Sequence, residues 1–530
     1  MAVLDRKWWT LIAVCTATFM LLLDITVVNV ALPSIQRSLH SSFSDLQWVV
    51  DAYALTLAAF LLTAGVVGDI FGRREVFAVG LVVFTLASLV CGLSTTSLML
   101  NLSRAVQGVG GAIMFATSLA LIAQAFSGRE RGTAFGIYGA VLGAAVAVGP
   151  LVGGAIVTAI GWRWIFFVNI PVGIFAVIVT LTKISESRGM AGRRVDWIGF
   201  VTFTLSLFML VFALVRGNSL GWGSPTIVAL LVGAVLFMTV FVIAEWRQAD
   251  PMLELPLFRR PAMVGVSLAA FCLSASIFSL FLYLTLYLQD DLGYGPLQAG
   301  LRFLPLTLMA FIVAPVAGKL TVRVQVRYLL GTGLLLVAVG CLLMTRINAA
   351  SAWTVVLPGF LVCGVGIGMV NPVLASSAVS VVPPEKSGMA GGANSTFRQV
   401  GIATGIAALG AVFQSQLAAH TTSALAATET GRHVLASAGS QLGAALNAGS
   451  IQSLAGHGAA AHVVLGAYRV GFAASLTRLA GIAAVVALVG SIGGYVLVRQ
   501  RDFVVSHAPA PAPDEAAGAS VGVSTGPAVA

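Results

Sequence analysis

The stretch TLIAVCTATFMLLLDITVVNVALP, residues Thr10–Pro33, decides the fold of this chain. It is almost entirely apolar and long enough to cross a membrane as a helix, which takes about 20 residues. Asp24 lies inside the stretch, and no basic residue of the stretch neutralises it. A carboxylate at the centre of a membrane costs about 2.5–3.5 kcal/mol. Asp24 therefore needs a buried partner or a function such as binding and releasing protons.

The composition of the whole chain places it in a membrane. Of its 530 residues, 58% are hydrophobic and 9% are charged, whereas a soluble domain has about 25% charged residues. The net charge of +10 comes from single or paired basic residues between apolar runs, a pattern typical of cytoplasmic loops rather than of a nucleic-acid-binding face. The five cysteines lie in apolar segments without paired spacing, so we expect no disulfide and no metal site.

The hydropathy pattern predicts fourteen transmembrane helices, and most of the 29 Lys and Arg residues fall in loops on the side of the N-terminus. Because basic loops stay inside, we predict an all-α polytopic protein of the cell membrane with both termini cytoplasmic. The predicted spans are 10–33, 46–67, 76–95, 98–122, 133–158, 164–182, 197–215, 225–244, 262–288, 297–318, 328–346, 353–377, 394–414 and 468–498.

An internal repeat divides the chain. The segment Gln107–Gly136 aligns without gaps with Cys363–Gly392, and Gly108 and Gly132 recur as Gly364 and Gly388. Chance matching in a glycine-rich chain is the alternative. A true repeat predicts two parallel bundles related by an axis along the membrane normal.

The repeat predicts two six-helix bundles with two additional central helices between them. The predicted divisions are an N-terminal bundle (1–184), the two additional helices (185–256), a C-terminal bundle (257–505) with a long outer loop (416–466), and a disordered tail (506–530). The Ala/Pro-rich composition of the tail favours disorder.

The loop after the second predicted helix reads GVVGDIFGRREV. Its glycines allow a tight turn, and its acid either pairs with an arginine or caps the next helix. One interpretation is an ordinary basic inner loop, and the other is a charged gate that opens in one conformation. The residues concerned are Gly65, Asp69, Gly72, Arg73 and Arg74.

The fourth predicted helix carries Arg104, with Gln107 and Gly108 close by. Arg104 is the candidate partner of Asp24. By the repeat, the corresponding residue in the second half is Phe360, so the charge belongs to one bundle only. A structural arginine satisfied by carbonyl groups is the alternative, although ionisable residues inside membranes are functional by default.

The fifth predicted helix has a continuous face of small residues that lets a second helix backbone approach closely, and its proline introduces a kink. Packing alone is the alternative explanation. The residues are Gly143, Gly149, Pro150, Gly153 and Gly154.

Two further features of the sequence allow two interpretations each. Asp51, near the outer end of the second helix, is either a second site for a proton or cation or a solvated helix-end residue. The ninth predicted helix is rich in aromatic residues, which either line a substrate pocket or, more commonly, face lipid. These aromatic residues are Phe271, Phe278, Phe281, Tyr283 and Tyr287.

Together these motifs resemble those of the major facilitator superfamily, specifically its fourteen-helix drug:proton antiporter family, similar to EmrB and QacA. The matching segments are LDITVVNVALP, GVVGDIFGRRE, LSRAVQGVGGA, GAAVAVGPLVGG, WRWIFFVNIPVG and DWIGF. The resemblance implies proton coupling at Asp24 with Arg104, a cytoplasmic gate at Asp69, Arg73 and Arg74, and an antiporter signature at Gly149-Pro150.

The resemblance implies a proton-coupled multidrug efflux transporter that exports lipophilic, neutral or monovalent cationic compounds by alternating access and confers antibiotic resistance. Divalent cations are disfavoured because the tenth predicted helix has no acid. The alternatives are a dedicated exporter of an endogenous metabolite, antibiotic, lipid or siderophore, and a non-transporting sensor on the same fold. We expect no enzymatic activity and no cofactor, with protons as the coupling ion. The expected partners are small-molecule substrates and membrane lipid; the sequence is silent on a periplasmic adaptor.

Overall fold

The computed structural model describes residues 5–126, 128–186, 195–321, 323–381, 387–438, 459–499 and 502–503, and the regular secondary structure of this part of the chain is helical. Thirteen helices are individually long and apolar enough to span a membrane. A further helix bends by 44° between its apolar parts, Ile137–Ala145 and Val148–Ala159, and is the fourteenth when it is counted as one span. The predicted number of helices is therefore confirmed.

The helices are numbered in chain order. They are α1 Arg6–Leu39, α2 Phe43–Phe71, α3 Arg73–Leu93, α4 Ser97–Ala125, α5 Gly128–Ala159, α6 Trp164–Lys183, α7 Trp197–Leu220, α8 Pro225–Arg247, α9 Pro261–Asp291, α10 Pro296–Leu320, α11 Val326–Met344, α12 Leu357–Ser380, α13 Ser387–Ala426, α14 Glu429–Ala438 and α15 Ala459–Leu497.

Hydroxyl side chains fix where several helices begin. Ser42 and Asp45 form a reciprocal cap at the start of α2, where the Asp45 backbone N–H donates to Ser42 Oγ at 3.2 Å and the Ser42 N–H donates to Asp45 Oδ2 at 2.9 Å. Thr96 caps α4 and Ser224 caps α8 more simply, since each side chain accepts one backbone N–H, from Met99 and Ile227 respectively. Because these caps satisfy backbone donors that the first turn of a helix leaves free, the turns between spans are short and well defined.

The internal repeat of the sequence has a counterpart in the way the helices pack. A Cβ added at Gly110 in α4 would lie 2.5 Å from the Phe84 backbone nitrogen in α3, and one added at Gly366 in α12 would lie 2.5 Å from the Gly333 carbonyl oxygen in α11. Gly110 and Gly366 occupy matching places in the aligned segments. The two halves therefore use equivalent glycines to bring equivalent helices together.

The two additional helices α7 and α8 form an antiparallel pair, joined where Ser206 Oγ donates to the Ala234 carbonyl oxygen at 2.8 Å. Helix α7 packs on α2 through aromatic rings, including Trp48 against Phe208 with centroids 6.0 Å apart. Most of α8 faces outward, as expected of a helix that contacts lipid. The pair thus flanks the two halves rather than separating them.

The prediction of a long outer loop over 416–466 is wrong for most of its described residues. Helix α13 continues to Ala426, α14 follows, and α15 begins at Ala459. The segment is rich in alanine, which has the highest helix propensity, and this preference outweighs the loop tendency of its Gly and Ser residues. Residues 439–458 and the tail 506–530 lie outside the described residues.

Substituting Gly110 or Gly366 by alanine is expected to lower the thermal unfolding temperature of the purified protein by several degrees. The added methyl group overpacks a helix contact, which costs about 1–3 kcal/mol. Gly481→Ala is the matched control, since nothing lies within 4 Å of its added Cβ. A stable Gly366→Ala variant beside an unstable Gly110→Ala variant would contradict equivalent packing in the two halves.

Candidate functional site

Asp24 and Arg104 form an ion pair in the interior of the first half. Arg104 Nη1 donates to Asp24 Oδ2, and the two residues are 1% and 3% exposed, respectively. The guanidinium also donates through Nε to the Val49 carbonyl oxygen of α2 at 3.1 Å and stacks 4.2 Å from the Tyr53 ring centroid. The pairing expected from the sequence is thus present, and it connects α1, α2 and α4.

Three more polar side chains complete this buried network. Gln107 accepts from Arg104 Nη1 at 2.7 Å and donates to Asp24 Oδ1 at 3.0 Å. Asn169 of α6 donates to Asp24 Oδ1 at 3.3 Å and to Ser88 Oγ of α3 at 3.0 Å. Sequence reasoning gave Asn169 and Ser88 no role, although a buried asparagine in an apolar segment is itself a signal.

Gly108 explains how Arg104 reaches α1. A Cβ at this position would lie 2.5 Å from the Tyr53 carbonyl oxygen and would clash with Thr56 Oγ1. Only glycine permits such close approach of α4 to α2. Thr56 Oγ1 also donates to the Ala105 carbonyl oxygen at 2.8 Å, which fixes the register of the two helices.

A small cavity lies beside the ion pair at the boundary between the two halves, with Arg104 in its wall. The remaining wall is apolar or aromatic except for Gln399. It includes Ile25, Val28, Val50 and Tyr53 from the first half and Gln399 and Ile402 from the second. The cavity therefore borders both the polar network of the first half and helix α13 of the second half.

Asp51 is completely buried, so the interpretation as a solvated helix-end residue is wrong. Neither of its carboxylate oxygens has a hydrogen-bond partner among the described residues. One turn earlier, Gln47 donates to the Ile406 carbonyl oxygen of α13 at 3.2 Å, and Tyr283 of α9 donates to the same oxygen at 2.7 Å. Asp51 thus lies where α2 of the first half meets two helices of the second.

The inner loop holds an ion pair that stays within the first half. Arg73 Nε and Nη2 donate to Asp69 Oδ1 at 2.9 and 2.7 Å. Gly72 separates α2 from α3 with a φ of 113°, a conformation that favours glycine. Gly65 lies earlier on α2, where nothing is within 4 Å of an added Cβ.

The start of α3 is capped from a distance by Glu186, which follows α6. Its carboxylate accepts from the backbone N–H groups of Arg74 at 3.1 Å and Glu75 at 3.2 Å, and lies 3.6 Å from Arg74 Nε. A Cβ at Gly72 would lie 2.8 Å from Glu186 Cδ. Asp69 therefore pairs with arginine and does not cap α3, and sequence reasoning missed Glu186 because its neighbours in the chain give no sign of this contact.

The small residues of α5 face α1 close to Asp24. Gly149 lies directly against Thr26, and a Cβ at Gly153 would lie 3.0 Å from Val27 Cα. Thr26 and Val27 follow Asp24 by less than one helical turn. The predicted stripe of small residues therefore contacts the helix that carries the buried acid.

The same region of α5 contacts α10 of the second half. A Cβ at Gly154 would lie 2.6 Å from the Pro296 carbonyl oxygen, and Gly300 lies directly against the Pro150 carbonyl. Gly143, further along α5, is 3.9 Å by the same measure from an α10 side chain. Helix α5 thus joins the two halves, which a purely local packing role would not require.

Three of the five aromatic residues of α9 are buried in protein and do not face lipid. Phe281, Tyr283 and Tyr287 are each at most 9% exposed. Phe281 stacks on Phe303 with centroids 4.2 Å apart, and Tyr283 packs 5.3 Å from Phe413. These rings form part of the core of the second half.

Comparison with known proteins identifies relatives along most of the chain. The family model described as Major Facilitator Superfamily matches residues 14–406. The puromycin resistance protein pur8 of Streptomyces alboniger is 38% identical over 78% of this chain and 83% of its own length. The multidrug resistance protein Stp of Mycobacterium tuberculosis is 36% identical over 77% of this chain and 76% of its own length.

A third relative and one solved structure extend the comparison. The tetracenomycin C resistance and export protein of Streptomyces glaucescens is 36% identical over 78% of this chain and 77% of its own. The crystal structure of a bacterial homologue of the human lysosomal transporter Spinster, inward-facing and unoccupied, has the same fold, with a TM-score of 0.61 at 17% identity over 96% of this chain and all of that one. With two bundles, two additional helices and these relatives, the chain belongs to the Major Facilitator Superfamily.

Proposed function

We propose that this membrane protein is a proton-coupled efflux transporter that exports lipophilic small molecules by alternating access of its two halves. As a member of this superfamily it is a multi-pass transporter and not an enzyme. The observation that carries proton coupling is the fully buried Asp24–Arg104 pair, inside a network whose donors to Asp24 come from α4 and α6. Drug export is supported by relatives whose names specify antibiotic resistance and export.

The proton acts by competing with Arg104 for Asp24. A protonated Asp24 no longer attracts the guanidinium, and removing one partner of a buried ion pair costs about 3–5 kcal/mol. Arg104 must then find compensation elsewhere, and it already contacts α2 and forms part of the wall of the small cavity beside the pair. Binding of a proton at Asp24 therefore frees the charge of Arg104 beside this small cavity, which must widen before a substrate enters it.

Helix α5 passes this change to the second half. It contacts α1 within one turn of Asp24 and contacts α10 through Gly154. Because glycine contacts leave no flexible side chains between the backbones, a small shift of α1 must displace α5. The signature Gly149-Pro150 thus serves as the link between proton binding and the movement of the bundles.

The inner gate is assigned to the loop between α2 and α3. The Asp69–Arg73 pair and the Glu186 contacts hold α2, α3 and the end of α6 together on the inner side. Both ion pairs are partly exposed, so each contributes little stability and is readily broken. These properties suit a contact that forms and breaks during each transport cycle.

Asp51 is proposed as a second proton site at the seam between the halves, where α2 meets α9 and α13. A buried carboxylate without hydrogen-bond partners is costly as a charge, and a bound proton removes that cost while the seam is closed. Tyr283 and Gln47 fasten the seam beside it. Opening the seam would expose Asp51 to water and release its proton.

A dedicated exporter of one endogenous compound is the second candidate function. It is favoured by relatives named for single compounds, such as the tetracenomycin C resistance and export protein. Transport assays against a panel of neutral and monovalent drugs distinguish the two, because a dedicated exporter responds to one chemical scaffold and a multidrug exporter responds to several.

Asp24→Asn is expected to abolish substrate-induced proton flux in proteoliposomes with an imposed pH gradient, with at least a tenfold loss. The amide keeps the shape of the side chain but does not take up the proton. Asp5→Asn, at a side chain that is 73% exposed, is the control and should transport normally. Full proton-coupled transport by a folded Asp24→Asn protein would refute the coupling role.

Gly154→Ala is expected to slow transport several-fold without changing substrate binding, because its Cβ would press on the α10 backbone. Gly139→Ala in the same helix is the control, since nothing lies within 4 Å of its Cβ. Uptake into inverted vesicles gives the rates, and equal rates for the two variants would remove the linking role of α5.

Asp51→Asn is expected to lower the number of protons exchanged per substrate molecule while leaving the affinity for substrate unchanged. The measurement is the ratio of proton flux to substrate flux under one imposed gradient. An unchanged ratio would show that Asp51 takes no part in coupling.

A further inference from the structure

Two acidic side chains meet at the inner ends of the additional helices, far along the chain from the network around Asp24. Asp196 is the residue immediately before α7, and Glu245 lies in the last turn of α8. Their exposures are 6% and 3%. Buried carboxylates this close to one another repel unless something lies between them.

Asp196 is held by donors from the first turn of α7 and from the segment that follows α8. Its Oδ1 accepts from the Gly199 backbone N–H at 2.7 Å, which caps α7, and from Gln248 Nε2 at 2.7 Å. Its Oδ2 accepts from the Met252 backbone N–H at 3.4 Å. This arrangement orients Oδ2 toward Glu245.

Glu245 has one satisfied oxygen and one that is unsatisfied. Its Oε2 accepts from the Leu253 backbone N–H at 3.0 Å, whereas Oε1 has no donor among the described residues. Asp196 Oδ2 and Glu245 Oε1 both lie against the position that a Cβ at Gly199 would take, the latter at 2.6 Å. Because both oxygens border this one position, they lie less than about 5 Å apart.

Two carboxylate oxygens are both acceptors, so they hydrogen-bond only when one of them carries a proton. We infer that Asp196 and Glu245 share one proton, and that this carboxyl–carboxylate hydrogen bond fastens α7 and α8 to the segment leading into the second half. The ligand of the site is a proton from the inner aqueous side. A metal cation fits less well, because Asp196 already accepts three N–H groups and a cation needs several further oxygen ligands.

The charged residues near the Asp196–Glu245 pair do not neutralise it. Among the described residues, no basic side chain forms an ion pair with Asp196 or Glu245. Arg247, two residues further along α8, is exposed, while Asp250 and Glu254 border the segment on either side. Helix α2 contacts this segment through uncharged side chains, since Thr63 Oγ1 donates to Met252 Sδ at 3.2 Å.

Together, the Asp196–Glu245 pair and Met252 form a junction between three parts of the protein. Met252 is bound by Asp196 and touches α2, so the pair joins the additional helices, the first half and the entry to the second half. Loss of the shared proton leaves two carboxylates facing each other in a buried place, and their repulsion opens the junction. The junction is therefore closed while the proton is bound and loosens as the pH rises, independently of any proton at Asp24.

The test is thermal unfolding of the purified full-length protein from acidic to alkaline pH. The wild type should lose several degrees of Tm at alkaline pH. Glu245→Gln should keep the neutral-pH Tm and lose most of this alkaline decrease, because its amide donates to Asp196 without titrating. Glu75→Gln, at a side chain that is 61% exposed, is the matched control and should follow the wild type.

An alkaline decrease in Glu245→Gln equal to that of the wild type would overturn the proposal, as would a wild-type Tm that depends on sodium or potassium and not on pH. If Glu245→Gln does not fold, infrared spectroscopy of the wild type and of Asp196→Asn decides. A protonated carboxyl band present in the wild type and lost in Asp196→Asn supports the shared proton, and an unchanged spectrum rejects it. Neither measurement requires a substrate, so its outcome is independent of the proposed transport function.

Discussion

The structure of the first half depends on keeping one carboxylate and one guanidinium together in a medium that tolerates neither alone. Asp24 and Arg104 come from different helices, and each side chain needs further hydrogen bonds in addition to the ion pair. Donors arrive from α4 and α6, and an acceptor arrives from α2. A pair of this kind contributes little net stability. Its persistence in the core is better explained by what happens when a proton changes its charge.

Glycine residues let the helices approach closely enough for Asp24 and Arg104 to meet. Arg104 lies one turn from Gly108, where α4 presses on the backbone of α2, and Asp24 lies one turn from the contacts that Gly149 and Gly153 make with α1. Polar side chains are short compared with the usual spacing of 8–10 Å between helix axes. Close backbone approach therefore allows five helices to share one polar network and leaves that network sensitive to small helix shifts.

Much of this arrangement was predictable from the sequence, and the reasons for the exceptions are physical. Hydropathy gave the spans, and the scarcity of charges inside them made Arg104 the natural partner of Asp24. Periodicity does not report contacts between distant helices, so Ser88, Asn169 and Glu186 were not identified.

The burial of Asp51 escaped prediction for a similar reason. Its position near a helix end suggested water, but the second half covers it. The segment 416–466 was misjudged because Gly and Ser suggested a loop, while its alanines extend the helices.

The length of the last helices has a mechanical consequence. Helix α13 has 40 residues and α15 has 39, and 40 residues span about 60 Å, roughly twice the hydrocarbon thickness of a bilayer. Both are therefore longer than a bilayer requires, and α14, which follows α13, packs against both of them. Each is one unbroken rod, so a tilt of the second half within the bilayer is magnified at the exposed tip. In the proposed alternating-access cycle, the outer tip of these helices therefore moves further than their membrane-embedded part.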